Sequence, residues 1–246
     1  MSLPVHLVPS LANVAAGSSV EITGDEAHHA VAVRRLKVGE RVVLTDGAGS
    51  SAPGEVVSTG KRVFTVRIDE LAYAVPATPH VTVVQALPKG DRGELAVEVL
   101  TEIGVQVIVP WAAARSVAVW RGERAAKSHA KWASTAREAA KQARRSWFPE
   151  VSPLADTATV LDLLAGVDLA LVLHEGAQTP MRSVAVPESG RIALVVGPEG
   201  GVSDEELDLF DAAGVRAVRL GTEVLRTSTA GVAAVSALLA RTTRWG

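Results

Sequence analysis

The stretch IALVVGPEGG, residues 192–201, decides how this chain is read. Five apolar residues with no charge describe a strand buried on both faces. They run directly into Gly197-Pro198-Glu199-Gly200-Gly201, a turn in which glycine supplies positive φ and close backbone approach. Two further apolar runs end the same way. LALVL (169–173) leads into His174-Glu175-Gly176, and VRAVRL (215–220) leads into Gly221-Thr222-Glu223-Val224-Leu225-Arg226-Thr227-Ser228-Thr229-Ala230. In an open α/β sheet, ligands bind beyond the carboxyl ends of the strands. Three loops of this kind would offer main-chain N–H and C=O groups to one small ligand.

Working outward, VTVVQAL (81–87) and VQVIVP (105–110) read as two more buried strands. Asp91 and Glu94 are spaced as a capping box that opens a helix ending at Gly104. A long helix is expected over Glu123–Trp147, where Trp132, Ala136, Ala139, Ala143 and Trp147 recur every three or four residues. Arg137, Lys141 and Arg145 lie beside that stripe as a basic line. Ser203 and Glu206 form a second capping box, with Gly214 closing its helix, and a last helix is expected from Thr229 to Arg241. Strands alternating with helices imply an α/β domain with a mainly parallel sheet.

The amino-terminal part differs. One helical stretch, Asp25–Arg35, sits among the β-like runs Arg41–Thr45, Gly54–Val57 and Val63–Ile68, which Gly/Ser-rich turns separate. This describes a small β-barrel with one helix. The segment Ala72–Pro79 carries two prolines and no charge. The organisation expected is a small domain over 1–72, a linker over 73–79 and a larger domain over 80–246.

The 246 residues are 48% apolar, enough for a substantial core. With no cysteine, disulfides, thiolate catalysis and Cys-ligated zinc are excluded. His28 and His29 are adjacent and no H-x-x-x-H pair occurs, so no metal site is expected. The start, MSLPVHLVPS, lacks a basic segment followed by an apolar run, and no apolar stretch reaches about 18 residues. A cytoplasmic location is therefore expected. Net charge is −2, yet the segment from Arg115 to Phe148 holds nine Lys/Arg against two Glu. That local +7 leaves −9 on the rest of the chain. A cationic surface on an acidic body suits RNA, although a solvated Ala-rich helix is the commoner explanation of an isolated charge run.

Known phosphate loops do not fit the glycine turns. Neither G-x-x-x-x-G-K-[ST] nor G-x-G-x-x-G occurs, and GPEGG contains no Lys or Arg to balance a polyphosphate. A ligand with a near-neutral base and an amino-acid moiety suits the turns better, and the residues by themselves do not name it.

The segments LPKGDRGELAVEVLTEIGV (87–105), AREAAKQARRSWFPEV (136–151), LVVGPEGGVSDEEL (194–207) and LGTEVLRTSTA (220–230), taken in order, resemble the SPOUT-class ribosomal RNA small subunit methyltransferase E family. HHAVAVRRLKVGE (28–40) resembles that family's PUA-like domain. GPEGG alone is moderately specific; followed by LG-x-x-x-LR-x-x-TA it is strongly so. The resemblance implies a PUA-like RNA-binding domain followed by a SPOUT domain with a deep trefoil knot. It also implies a homodimer, S-adenosyl-L-methionine as methyl donor, and methylation of uridine N3 in 16S rRNA of the small ribosomal subunit, near the decoding centre. Its cofactor pocket maps onto Leu173, His174 and Glu175, onto Val196, Gly197, Pro198, Glu199, Gly200 and Gly201, and onto Leu220, Gly221, Leu225, Arg226, Thr227, Thr229 and Ala230. Its RNA-facing positions map onto Arg137, Lys141, Gln142, Arg144 and Arg145, with Lys89, Arg34, Arg35 and Lys37 as further candidates.

Arg226 is the side chain expected to act in catalysis, because a fixed guanidinium stabilises charge that develops on the uracil. The competing reading pairs it with Glu199 or Glu223 to brace the fold. Glu199 reads better as an acceptor for loop amides than as a base, and His174 ends a strand at the right edge. Thr227 or Ser228 is a candidate cap for the last helix. Glu98 and Glu102 suit ion pairs better than catalysis. The chain departs from the family's pattern at Lys141, where an acid precedes Gln142 in many members, and at Ser228, which also replaces an acid. Two other activities remain open at this point: methylation of a ribose 2′-oxygen or another base, and RNA binding without catalysis.

Overall fold

The computed structural model describes residues 3–246. Met1 and Ser2, the first residues of the expected small domain, lie outside the described residues. The chain divides into two compact units, residues 3–76 with Ala140–Phe148, and Ala77–Ala139 with Pro149–Gly246.

In the first unit the strands are β1 (Val5–Leu7), β2 (Ser19–Thr23), β3 (Arg41–Thr45), β4 (Ser50–Thr59), β5 (Val63–Ile68) and β6 (Ala72–Tyr73). They pair in the order β1-β3-β4-β5-β2, with β6 also on β4. Only β1 and β3 run parallel. The ends of this path, β1 and β2, share no ladder among the described residues. The expected helix forms as α1 (Gly24–His28) continued by a π-helical turn, His29–Val33. It contributes Ala27 and Ala30 to a core of Val42, Leu44, Val56, Phe64 and Val66. The segment read as linker begins inside the sheet, since Ser50 and Ser51 pair with Tyr73 and Ala72.

Residues 140–148 belong to this unit through specific bonds. Gly49 N–H donates to Ser146 O at 2.9 Å and Phe148 N–H to Gly47 O at 2.9 Å. The Trp147 indole donates to Ala74 O at 2.7 Å and meets Tyr73 edge-on. A Cβ on Gly49 would lie 2.8 Å from the Trp147 ring, so glycine is required there.

The second unit holds β7 (His80–Ala86), β8 (Val107–Trp111), β9 (Glu150–Val151), β10 (Leu169–Leu173), β11 (Arg191–Val196) and β12 (Arg216–Val218). All are parallel, in the order β12-β10-β11-β7-β8-β9. The apolar runs are continuous because side chains alternate between two buried faces. Val81 and Val83 of β7, with Ile192 and Leu194 of β11, pack under α2 (Arg92–Glu102), α3 (Glu123–Gln142) and α6 (Thr227–Leu239). Val84, Ala86, Ala193 and Val195 face α4 (Thr157–Leu164) and α5 (Asp204–Ala212).

Three local expectations change. The long helix stops at Gln142, because Arg144 takes a left-handed φ of 54° and turns the chain. Ala143 is therefore exposed, and Trp147 and Arg145 are not on the helix. Asp91 precedes α2 without a side-chain cap, and Glu94 instead pairs with Lys131 Nζ at 2.8 Å. Helix α6 starts at Thr227 with Arg226 as N-cap, and neither Thr227 nor Ser228 caps it. The Ser203–Glu206 capping box forms as expected. No helix among the described residues is long and apolar enough to cross a membrane.

Candidate functional site

Strand order reverses in the second unit. The chain runs β7 to β8 to β9, restarts at β10, and then lays β11 between β10 and β7. Beyond the carboxyl ends of β10, β11 and β12 lies a cavity of about 330 Å³, within the usual range for small-ligand pockets.

The glycine loop after β11 is held rigidly. Gly201 N–H donates to Pro198 O at 2.9 Å, and Gly201 adopts φ 74°. A Cβ on Gly197 would lie 2.8 Å from Val202 Cγ2, so the loop closes on itself only with glycine there. Glu206, buried at the first turn of α5, fixes the loop from behind. Its carboxylate accepts from Ser203 N–H at 3.0 Å, Ala114 N–H at 2.8 Å and the Thr157 hydroxyl at 3.1 Å. One carboxylate thus joins the segment after β8, the start of α4 and the cap of α5. Glu199 Oε1 accepts the Lys89 backbone N–H at 3.1 Å, tying this loop to the segment after β7. That is the amide-acceptor role expected from the sequence.

The other walls follow from neighbouring strands. His174 N–H donates to Val218 O at 3.0 Å, which aligns the segments after β10 and β12. Arg226 caps α6 with extended backbone, and its carbonyl accepts from Thr229 and Ala230 N–H, both at 2.9 Å. The Arg226 side chain is exposed toward the cavity and makes no ion pair with Glu199 or Glu223 among the described residues. The bracing alternative is therefore not what the structure contains.

Of the residues expected at this pocket, Leu173, His174, Glu175, Val196, Gly197, Pro198, Glu199, Gly201, Leu220, Gly221, Leu225, Arg226, Thr227 and Ala230 line it. Two do not. Gly200 is turned against Arg115, whose backbone oxygen would lie 3.2 Å from an added Cβ. The Thr229 hydroxyl turns back to Arg226 O at 3.3 Å. The lining also includes Arg92, Val202, Val218, Arg219, Thr222, Glu223 and Val224, which sequence reasoning did not select. Arg92 had a usable signal: it follows the first strand of the domain, at the sheet edge where ligands bind. The lining holds Arg92, Arg219 and Arg226 together with Glu175, Glu199 and Glu223, so its formal charges cancel.

The candidate RNA contacts fall in both units. Arg34, Arg35, Lys37, Gln142 and Arg144 are exposed and Arg145 half-buried in the first; Lys89 and Arg137 are exposed in the second. Arg35 holds a left-handed φ of 56°, directly after the π-helical turn. Lys141 leaves this group. It is buried, and its ammonium pairs with Glu26 Oε2 at 2.9 Å, while Glu26 Oε1 contacts His6 Nδ1 at 2.9 Å. A buried, paired ammonium is not presented to a phosphate.

Comparison with known proteins agrees with the geometry. The family model described as an RNA methyltransferase domain matches residues 76–239, and that of an RNA methyltransferase PUA domain matches residues 22–69. The ribosomal RNA small subunit methyltransferase E of Mycobacterium tuberculosis is 42% identical over 93% of this chain and 89% of its own length. The Bacillus subtilis protein of the same name is 30% identical, over 88% of each. Among solved structures, a Neisseria gonorrhoeae ribosomal RNA small subunit methyltransferase E bound to S-adenosyl methionine superposes with a TM-score of 0.86 at 27% identity, covering 97% of this chain and 98% of that one. A Legionella pneumophila protein solved with the cofactor SAM bound gives 0.89 at 28% identity, covering 98% and 99%. With the domain model spanning most of its length and relatives matching nearly all of it, the chain belongs to the ribosomal RNA small subunit methyltransferase E family.

Proposed function

We propose that this protein, acting as a cytoplasmic homodimer, methylates N3 of a specific uridine in 16S rRNA near the decoding centre, with S-adenosyl-L-methionine as donor. One observation carries the reading: three parallel strands end at a cavity built from main-chain turns, with an arginine at its rim that makes no ion pair among the described residues. The donor fits this lining. A sulfonium amino acid carries cations and a carboxylate, and three carboxylates and three guanidiniums are available to them. The apolar floor of Val196, Val218 and Leu173 suits a nucleoside, and no lysine cradle is present for a polyphosphate.

When bound, S-adenosyl-L-methionine supplies an electrophilic methyl group. The protein's task is to hold uridine N3 in line with it and to favour the deprotonated imide. Arg226, its guanidinium uncommitted, stabilises negative charge spreading over the uracil carbonyls. Glu199 and Glu206 keep the turns from yielding, so that proximity and alignment lower the barrier. Arg34, Arg35, Lys37, Gln142, Arg144 and Arg145, with Lys89 and Arg137, supply the RNA contacts. A deep trefoil knot formed around α6 is part of the same reading.

Mass-spectrometric mapping of modified nucleosides in small-subunit rRNA, from cells with and without the protein, tests the assignment. A 3-methyluridine present only with the protein is expected. A methyl group on a ribose oxygen or another base would replace the acceptor assigned here.

A further inference from the structure

The buried face that β7 presents to α6 is apolar except at one position. Gln85 is fully buried, flanked on its face of the strand by Val83 and Leu87. Its amide nitrogen donates to Ala86 O at 3.2 Å and to Thr227 O at 3.3 Å. Among the described residues its amide oxygen, Oε1, has no partner, and the buried hydroxyl of Ser228 has none either. Both bonds are long. Thr227 O also stands where the second helical bond of α6 is accepted, from Gly231 N–H, after that from Ala230 N–H to Arg226 O. The amide is thus not the sole partner of that carbonyl, and its own oxygen is left unsatisfied inside the core. An apolar side chain of the same length would fill the position with less loss of hydration. Packing alone does not explain a glutamine here.

Its location does. Thr227 is the first residue of α6, Arg226 is the N-cap, and both line the cavity. Gly231, one turn further, brings α6 so close to the sheet that an added Cβ would lie 3.4 Å from Val196 Cγ2 and 3.7 Å from Gln85 Oε1. Val196 is the last residue of β11, immediately before the glycine loop, and is the ladder partner of Gln85. One side chain therefore touches the turn that carries Arg226 and lies beside the strand that carries the loop.

We infer that Gln85 is a positioning residue for methyl transfer, holding the first turn of α6 so that Arg226 faces the acceptor base. This rests on the function proposed above. Gln85 reaches neither donor nor RNA; it acts through Thr227 on Arg226.

The test compares wild type with Gln85→Met, near in length and unable to donate. Measured quantities are the melting temperature, the affinity for S-adenosyl-L-methionine by calorimetry, and kcat and KM on small subunits lacking the modification. Expected are a melting temperature within about 3 °C of wild type or above it, donor affinity and KM changed less than about threefold, and kcat lowered about ten- to a hundredfold. The variant is also combined with Arg226→Lys. If Gln85 acts through Arg226, the two losses in kcat are markedly less than additive. Unchanged kcat, fully additive losses, or a lower melting temperature with normal turnover per folded molecule would overturn the inference. So would a loss confined to donor affinity. Should Gln85→Met not be recovered folded, Gln85→Ala carries the same comparison, and failure of both to fold assigns the amide to stability and ends the proposal. Wild-type protein that leaves the subunits unmethylated refutes the functional reading itself, separately from any effect of position 85.

Discussion

The backbone N–H of Lys89 donates to Oε1 of Glu199 at 3.1 Å, so the segment after β7 and the glycine loop after β11 share a carboxylate at the rim of the cavity. Glu199→Gln keeps an acceptor there and is expected to bind S-adenosyl-L-methionine nearly as wild type does. Glu199→Ala removes it and should weaken binding about tenfold, the worth of one charge-assisted hydrogen bond. Calorimetry distinguishes them. A Gln variant with normal donor affinity and no turnover would give Glu199 a role in proton transfer instead.

Arg226→Ala should lower methylation about a hundred- to a thousandfold, the usual cost of a lost oxyanion donor. The side chain is exposed and pairs with no carboxylate among the described residues, so the melting temperature should stay within about 2 °C. Arg226→Lys, which keeps the charge but not the planar fork, should retain part of the rate. Steady-state kinetics alongside thermal unfolding separates the two effects. Wild-type turnover in the Ala variant would remove Arg226 from the mechanism.

Glu206 is only 4% exposed and receives three donors from three segments. Glu206→Ala is expected to cost roughly 2–4 kcal/mol, combining a lost helix cap with amides left unsatisfied. Donor affinity should fall with it, since the glycine loop loses its rear support. Chemical denaturation and calorimetry on the same preparation check both.

Burial tends to raise the carboxyl pKa of Glu26, but hydrogen bonds from His6 and Lys141, with their charges, outweigh it and hold it below its ordinary 4.5. A carboxylate with a depressed folded pKa contributes stability that is complete above the unfolded value and lost as pH falls through the folded one. The amino-terminal unit should therefore weaken on acidification below about pH 4.5, while Glu26→Gln flattens that dependence. Lys141→Met should destabilise the unit by about 1–3 kcal/mol, since it strands a largely buried carboxylate. It should leave the salt dependence of RNA affinity unchanged, whereas Arg34→Ala or Arg144→Ala should reduce the slope by about one. A lower slope in Lys141→Met would return that lysine to the RNA surface.

Much of the architecture was legible because strands buried on both faces leave an unbroken apolar signature. LALVL has the ends its composition indicates. Arg41–Thr45 and Val63–Ile68, which are not buried on both faces, have the expected ends too, since Gly/Ser-rich turns mark them off. The Ser203–Glu206 box was equally readable, since its bonds are local. The errors arose where a distant partner decides the outcome. Glu94 is taken by Lys131 from another helix, so Asp91 forms no box with it. Lys141 continues a basic line in sequence yet turns inward to Glu26, more than a hundred positions earlier. The end of α3 is set at Arg144 by a left-handed residue that carries no glycine to announce it. At the cavity, glycine turns were recognisable by composition, while Arg92 comes from a helix whose only clue is its place after β7.

Apart from Arg92, every residue lining the cavity lies between Leu173 and Ala230. The ladder partner that covers one side of β7 is β11, which begins only at Arg191, although β7 ends at Ala86. As the polypeptide leaves the ribosome, β7 and β8 must wait with a bare apolar edge through the synthesis of α3, β9, α4 and β10. Such an edge invites association with other nascent chains, and its long-range closure is slow. Translation that stops before Leu220 leaves the wall of this cavity between Leu220 and Ala230 unbuilt.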